Sequence, residues 1–123
     1  MTDIRGRVVL VVDDDAMARR VVRTVLEADD FEVVEARDGE TALRLATAAR
    51  PAVVVLDILM PGLDGVEVCQ RLDHEKVKVI VLTAIDDPEL EKSCRAAGAN
   101  AFLTKPFSSL QLLDLVAELI GSE

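Results

Sequence analysis

Residues 53–65 read VVVLDILMPGLDG. Four apolar residues run straight into Asp57, and Ile58, Leu59 and Met60 follow before Pro61 and Gly62 break the chain. A short continuous apolar run of this kind fits a parallel strand covered on both faces. A carboxylate is costly to bury without a partner. Asp57 therefore reads as a chemical group held at the mouth of a core strand, with its partners supplied from elsewhere in the chain.

Working outward from that strand, two kinds of segment alternate. The short, Val-rich kind recurs at Val8 to Val12, Phe31 to Glu35, Ala52 to Leu56, Val77 to Leu82 and, more weakly, Asn100 to Leu103. The longer kind carries apolar stripes at helical spacing. These stripes are Val21, Val22, Val25 and Leu26; Leu43, Ala46 and Ala49; Val66, Cys69 and Leu72; Leu90, Cys94 and Ala97; and Leu113, Val116, Ala117 and Ile120. Asp38-Gly39 opens the second helix and Pro51 closes it, while Pro88 sits in the first turn of the fourth and Gly98 stops it. Five strand-then-helix units in a row predict an α/β fold, an open parallel sheet with right-handed crossovers and helices on both faces. With 123 residues and no repeat, linker or low-complexity stretch, the chain reads as one domain, 1–123.

The bulk numbers exclude several functions. A net charge of −9 argues against electrostatic binding to nucleic acid or to an anionic membrane surface. No apolar run approaches a membrane span, and the N-terminus, where RVVLVV meets three aspartates, is no signal peptide. Cys69 and Cys94 are not spaced as metal ligands and read as buried reduced thiols. The expected setting is the cytoplasm. His74, the only histidine, reads as a solvated loop residue after the third helix.

In open parallel sheets the site lies at the carboxyl ends of the strands. Asp13, Asp14 and Asp15 follow the first strand, Asp57 the third, Thr83 the fourth and Lys105 the fifth. Crowded carboxylates repel, and the usual remedies are a raised pKa or a bound cation. Their oxygens suit a hard ion such as Mg²⁺. Lys105 adds a mobile point charge suited to carboxylate or phosphoryl oxygens, and Thr83 a hydroxyl. Asp57 then reads as a carboxylate nucleophile of the kind that forms an aspartyl phosphate. Taken alone, Asp13 to Asp15 reads first as an N-cap with favourable dipole charges, and Asp15 suits the cap even if its neighbours bind metal.

The four stretches VVDDD, VVVLDILMPGLDG, VIVLTA and FLTKPF, in this order and spacing, resemble the receiver domain of two-component response regulators. The resemblance implies a single (βα)5 flavodoxin-like domain with strand order 2-1-3-4-5. It implies that Asp57 is the phosphoacceptor for a histidine kinase or histidine phosphotransfer protein. Asp13 and Asp14, with Asp57 and the backbone carbonyl of Leu59, would hold Mg²⁺ (or Mn²⁺), Asp14 directly. Lys105 would pair with the phosphoryl group, Thr83 would bond it in the active state, and Phe102 would be the switch aromatic. Met60-Pro61 and Asp64-Gly65 would shape the loop after the phosphorylation site. Any enzymatic activity would be limited to self-phosphorylation and autodephosphorylation of Asp57. The signal would pass to a downstream protein partner or a fused output domain through the surface of the fourth helix, fifth strand and fifth helix.

In that family the positions two after Asp57 and two after Thr83 face the phosphoryl group. Here they are Leu59 and Ile85, which cannot orient a water by hydrogen bonding, so a long-lived phosphoryl group is expected. A haloacid-dehalogenase-like phosphatase, the alternative Mg²⁺-dependent user of an Asp nucleophile, would want a second Asp where Leu59 stands. A nucleotide-binding module would want glycines where Asp13 to Asp15 stand. The final helix, SSLQLLDLVAELI, has no Arg or Lys and so resembles poorly the basic helix of receivers that dimerise ahead of winged-helix domains. A stand-alone receiver or a different output is the expectation.

Overall fold

A computed structural model describes residues 7–59 and 64–121. Strands and helices alternate along the chain as β1 (Val8–Val12), α1 (Ala16–Ala28), β2 (Glu32–Ala36), α2 (Gly39–Ala48), β3 (Val53–Asp57), α3 (Gly65–Arg71), β4 (Lys78–Thr83), α4 (Pro88–Ala96), β5 (Ala101–Thr104) and α5 (Ser109–Gly121). The strands form one parallel sheet in the order β2-β1-β3-β4-β5. This is the flavodoxin-like order expected from the resemblance.

Alternation of side chains across the sheet divides the core in two. Leu10, Val12, Val54, Leu56, Val79 and Val81 face one side and pack with Val68, Cys69, Leu72 and Cys94 of the α3–α4 region and Ala42 of α2. Val9, Val11, Val53, Val55, Ile80 and Leu82 face the other and pack with Val22 and Leu26 of α1 and Leu112, Val116 and Ile120 of α5. Both layers are apolar, which is why the strand sequences show unbroken Val runs rather than alternation. Val21, expected in the α1 stripe, is instead exposed.

Four strands lie one residue later than their apolar runs suggest. Phe31, Ala52 and Val77 are buried but precede the ladder. Lead-in bonds such as Ala52 N–H to the Val8 carbonyl (2.9 Å) and Asn100 N–H to the Val79 carbonyl (2.8 Å) carry the chain into register. The shift matters at the other end. Asp57 and Thr83 occupy the last rungs, paired in register with Leu82 and Thr104, rather than the loops beyond. Their backbones are therefore fixed by the sheet.

Helix starts are capped as their sequences suggest. Asp15, Asp38, Asp64 and Asp87 each accept a backbone N–H from the first turn of α1, α2, α3 and α4. Gly98 after α4 has φ +112, a conformation that favours glycine, and a Cβ there would strike the His74 ring. His74 is accordingly not a solvated loop residue. It is half-buried, with Nε2 donating to the Cys69 carbonyl at 2.6 Å and Nδ1 buried without a partner. The ring fills the gap that Gly98 leaves and caps the end of α3, a pairing across 24 positions that local pattern does not reveal. Cys69 and Cys94 are free and buried, as expected, and burial pushes the Cys69 thiol up to about 11.

Candidate functional site

The site is built at the carboxyl edge of β1, β3 and β5. Asp13 leaves β1 with its N–H still donating to the Ala36 carbonyl of β2 at 3.1 Å, so it continues the ladder by one bond. Its side chain is buried and its Oδ1 accepts the Asp15 amide at 2.9 Å. Asp57, at the end of β3, is also buried, and its Oδ1 accepts the Leu59 amide at 2.9 Å. Each acid thus has one oxygen tied to its own loop, and the other faces the centre of the site.

That centre holds Lys105. Its Nζ donates to Asp13 Oδ2 at 3.1 Å and to Asp57 Oδ2 at 3.4 Å, bridging residues 92 and 48 positions away. The Lys105 amide donates to the Thr83 carbonyl at 2.7 Å, which fixes where the lysine leaves β5. Asp14 stands on the exposed side of the same cluster. One carboxylate oxygen from each of Asp13, Asp14 and Asp57 lies within 4.8 Å of the others.

The electrostatics follow from this crowding. Burial pushes the Asp57 carboxyl above the usual carboxylate range, opposed by the Leu59 amide and Lys105 and reinforced by Asp13. Burial works against the Lys105 ammonium, but the bonds to Asp13 and Asp57 outweigh it and hold it above the ordinary lysine value. Among the described residues one ammonium, bonded to two of the three acids, stands in the cluster, so the pocket is short of positive charge.

A divalent cation fits that shortage. Oxygens on opposite sides of an octahedral Mg²⁺ are about 4.2 Å apart, since each bond is about 2.1 Å. A three-oxygen set within 4.8 Å matches an ion that keeps some waters and takes part of the set directly. The donors are all hard oxygens, which suits Mg²⁺ or Mn²⁺ over softer metals.

The remaining expected residues lie around the rim. Thr83 is fully buried in the last rung of β4, and its Oγ1 accepts the Ile85 amide at 3.1 Å. That bond uses a lone pair and leaves the O–H to donate elsewhere. Phe102, on β5 opposite Val81, is half-buried against the α2–α4 layer. Leu59 and Ile85 are exposed apolar side chains on the loops leaving Asp57 and Thr83. Met60-Pro61 lies outside the described residues. Gly65 has a physical reason: a Cβ there would collide with the backbone of Ile58, the residue after Asp57, so only glycine lets α3 start against that loop.

Two features were not expected from sequence. Arg19 of α1 donates from Nη1 to the Asp13 carbonyl at 2.7 Å and from Nε to Glu35 of β2 at 2.9 Å. A cavity of about 260 Å³ beside Lys105 is lined by Ala18, Val21, Val22, Pro106, Phe107 and Ser109, with Met17 and Leu110 exposed nearby in sequence. A larger cavity, about 580 Å³ between α2 and α3, opens at the amino end of the sheet beside Pro51 and Val77 and is lined by none of the expected site residues.

Comparison with known proteins bears on this geometry. Residues 9–117 match the family model described as the response regulator receiver domain. The chain is 42% identical over 107 residues to the response regulator MprA of Mycolicibacterium vanbaalenii, covering 85% of this chain and 46% of that protein. It is 38% identical over 102 residues to the alkaline phosphatase synthesis transcriptional regulatory protein PhoP of Bacillus subtilis, covering 81% and 42%. The chain therefore spans less than half the length of these curated relatives. Among solved structures, the chemotaxis protein CheY4 of Vibrio cholerae superposes with a TM-score of 0.85 at 32% identity, covering 92% of this chain and 98% of that one. The receiver domain of response regulator 1452 from Francisella gives 0.86 at 33% identity, covering 94% and 98%.

Proposed function

Because the chain belongs to the response regulator receiver domain family, we propose that residues 1–123 form one receiver that takes a phosphoryl group on Asp57. The observation that carries this reading is the junction of three carboxylates within 4.8 Å with the Lys105 ammonium bridging two of them. A phosphatase of the haloacid-dehalogenase type finds no support, since Leu59 stands where its second acid would be.

In the proposed reaction Asp57 Oδ2 attacks phosphorus. An O–P bond forms on the carboxylate while the P–N bond of a phosphohistidine, or the P–O bond of an acyl phosphate, breaks. Asp13, Asp14, Asp57 and the Leu59 backbone carbonyl would hold Mg²⁺ (or Mn²⁺). When bound, the ion neutralises the acids and supplies charge to the transferring phosphoryl oxygens. With Asp13 so compensated, Lys105 is free to turn its Nζ to the phosphoryl group. Thr83 offers its unused O–H to a phosphoryl oxygen, and Phe102, half-buried on the neighbouring strand, is the ring able to follow that movement. Phosphate can bias the α4–β5–α5 surface only as far as it binds one arrangement better than the other.

A histidine kinase or histidine phosphotransfer protein would be the donor. The exposed Met17, Val21 and Leu110 and the cavity beside Lys105 support an apolar seat for it next to Asp57. The reader of the switch would be a protein partner or a fused output domain, in a cytoplasmic setting. Among the described residues no helix is long and apolar enough to cross a membrane.

Labelling by radioactive acetyl phosphate tests the reading. Wild type should take up label only with Mg²⁺ present, and Asp57→Asn should take up none. Equal labelling of Asp57→Asn, or labelling that ignores divalent cation, overturns it.

A further inference from the structure

We propose that Arg19 is a positioning residue for the acidic pair: it aims Asp14 by holding the peptide plane that joins Asp13 to Asp14. The inference rests on the metal-site reading above and extends it to a residue that touches neither metal nor phosphate.

The geometry is specific. Arg19 Nη1 donates to the Asp13 carbonyl oxygen at 2.7 Å, and its side chain is only 16% exposed. That oxygen belongs to the same planar unit as the Asp14 N–H and Cα. Fixing it at one end, while the Asp13 amide is fixed on the Ala36 carbonyl at 3.1 Å, determines the direction in which the Asp14 side chain leaves the turn. Asp13 has both side-chain oxygens engaged as well, by the Asp15 amide and Lys105. Asp14 has no comparable tether among the described residues, although its carboxylate shares the cluster. Its aim depends on its backbone.

Arg19 is itself held. Its Nε meets Glu35 Oε1 at 2.9 Å, and Arg23 Nη1 meets the second oxygen, Oε2, at 2.6 Å. The two arginines keep the Glu35 carboxyl below its usual range, Arg23 contributing most. Strand β2 thus grips the Asp13–Asp14 turn twice, through the Ala36 carbonyl directly and through Glu35 by way of Arg19. A half-buried charge next to the last residue of β2, Glu35, gains a reason. Opposing force is also present: three like charges within 4.8 Å push the turn apart, and the clamp resists that spreading before an ion arrives. Mg²⁺ demands near-ideal octahedral geometry, so a carboxylate free to swing binds it less well.

The test is the Mg²⁺ dissociation constant of the metal-free protein, read by isothermal titration calorimetry because the chain has no Trp or Tyr to report by fluorescence. Residues that orient metal ligands typically cost 10–100-fold in affinity when lost, so Arg19→Ala should weaken Mg²⁺ about 10-fold. Arg19→Lys should recover part of that, since an ammonium can reach the carbonyl but cannot fork to Glu35. Glu35→Gln should fall between Arg19→Lys and wild type. Thermal melts are recorded in parallel. Unchanged Mg²⁺ affinity in Arg19→Ala and Glu35→Gln, with lower melting temperatures, would make the network merely structural and overturn the proposal alone. If Arg19→Ala does not fold, unchanged affinity in both Arg19→Lys and Glu35→Gln overturns it equally. Wild type that binds no Mg²⁺, or binds as tightly after Asp14→Asn, overturns the metal-site reading and this inference with it.

Discussion

Replacing Lys105 by Met removes the ammonium that bridges Asp13 and Asp57 while keeping much of the side-chain volume. At separations of 3.1 and 3.4 Å each contact has a gross attraction of about 5 kcal/mol at an effective dielectric of about 20. Desolvation and the repulsion among the acids cancel most of it. The lysine side chain is 28% exposed, so solvent screens part of the remainder. A net loss of about 2 kcal/mol at neutral pH is expected, below the 3–5 kcal/mol that breaking a fully buried pair costs. For a chain of this length that corresponds to a melting temperature about 8 °C lower.

The sign with pH follows from Asp57. Its carboxyl already lies above the usual range, chiefly through burial, with the Leu59 amide and Lys105 opposing the rise. A group raised in the folded state stabilises the fold while protonated, and that contribution is lost as pH rises from the unfolded carboxyl value through the folded one. Without the ammonium the folded value rises further. The deficit of Lys105→Met should therefore be smaller at about pH 4.5, near the free-carboxyl range, than at about pH 7.5. Melts followed by far-UV circular dichroism in chelator, then in excess Mg²⁺, measure this. Mg²⁺ should return most of the loss by supplying charge to the same acids. A deficit equal at both pH values, or none at pH about 7.5, would refute the view of Lys105 as the counter-ion of a buried acidic pocket.

Two further outcomes are expected. Leu59→Asn should shorten the lifetime of the phosphoryl group on the order of 10-fold, below the contribution of a fully positioned proton-transfer group, because an amide can orient water where leucine cannot. Loss of label from pre-labelled protein measures it, and equal decay in both proteins would refute the long-lived state. Gly65→Ala should cost about 2 kcal/mol, since the added Cβ meets the Ile58 backbone, which cannot move without disturbing the core. It should also reduce Mg²⁺-dependent labelling by displacing the loop that follows Asp57; an unchanged melting temperature would show that α3 shifts freely.

The sequence was legible where topology, rather than local contact, decides who meets whom. Asp13, Asp57 and Lys105 are far apart in the chain, yet a parallel sheet puts every carboxyl end on one edge, so recognising the strands was enough to gather them. The ladder starts one residue after the apolar runs, which moved Asp57 and Thr83 onto the last rungs without changing that edge. Partnerships between a helix face and a neighbouring strand were not legible. Arg19 stands on the polar side of α1 and Glu35 interrupts the apolar residues of β2, and each alone looks like a charge turned to solvent. Only the order β2-β1, with α1 crossing between them, brings the pair to 2.9 Å and sets it against the Asp13 carbonyl. His74 failed for the same reason, because its cavity is made by Gly98 on another loop. The recoverable signal for Glu35 lies in its register: it pairs with Val11, two residues before Asp13, so a charge there has an arginine from α1 as its nearest counterpart. A glutamate near the carboxyl end of the strand beside the acidic turn, with an arginine one helical turn into the following helix, is therefore a pattern that can be sought in sequence and checked by the Mg²⁺ affinity of its variants.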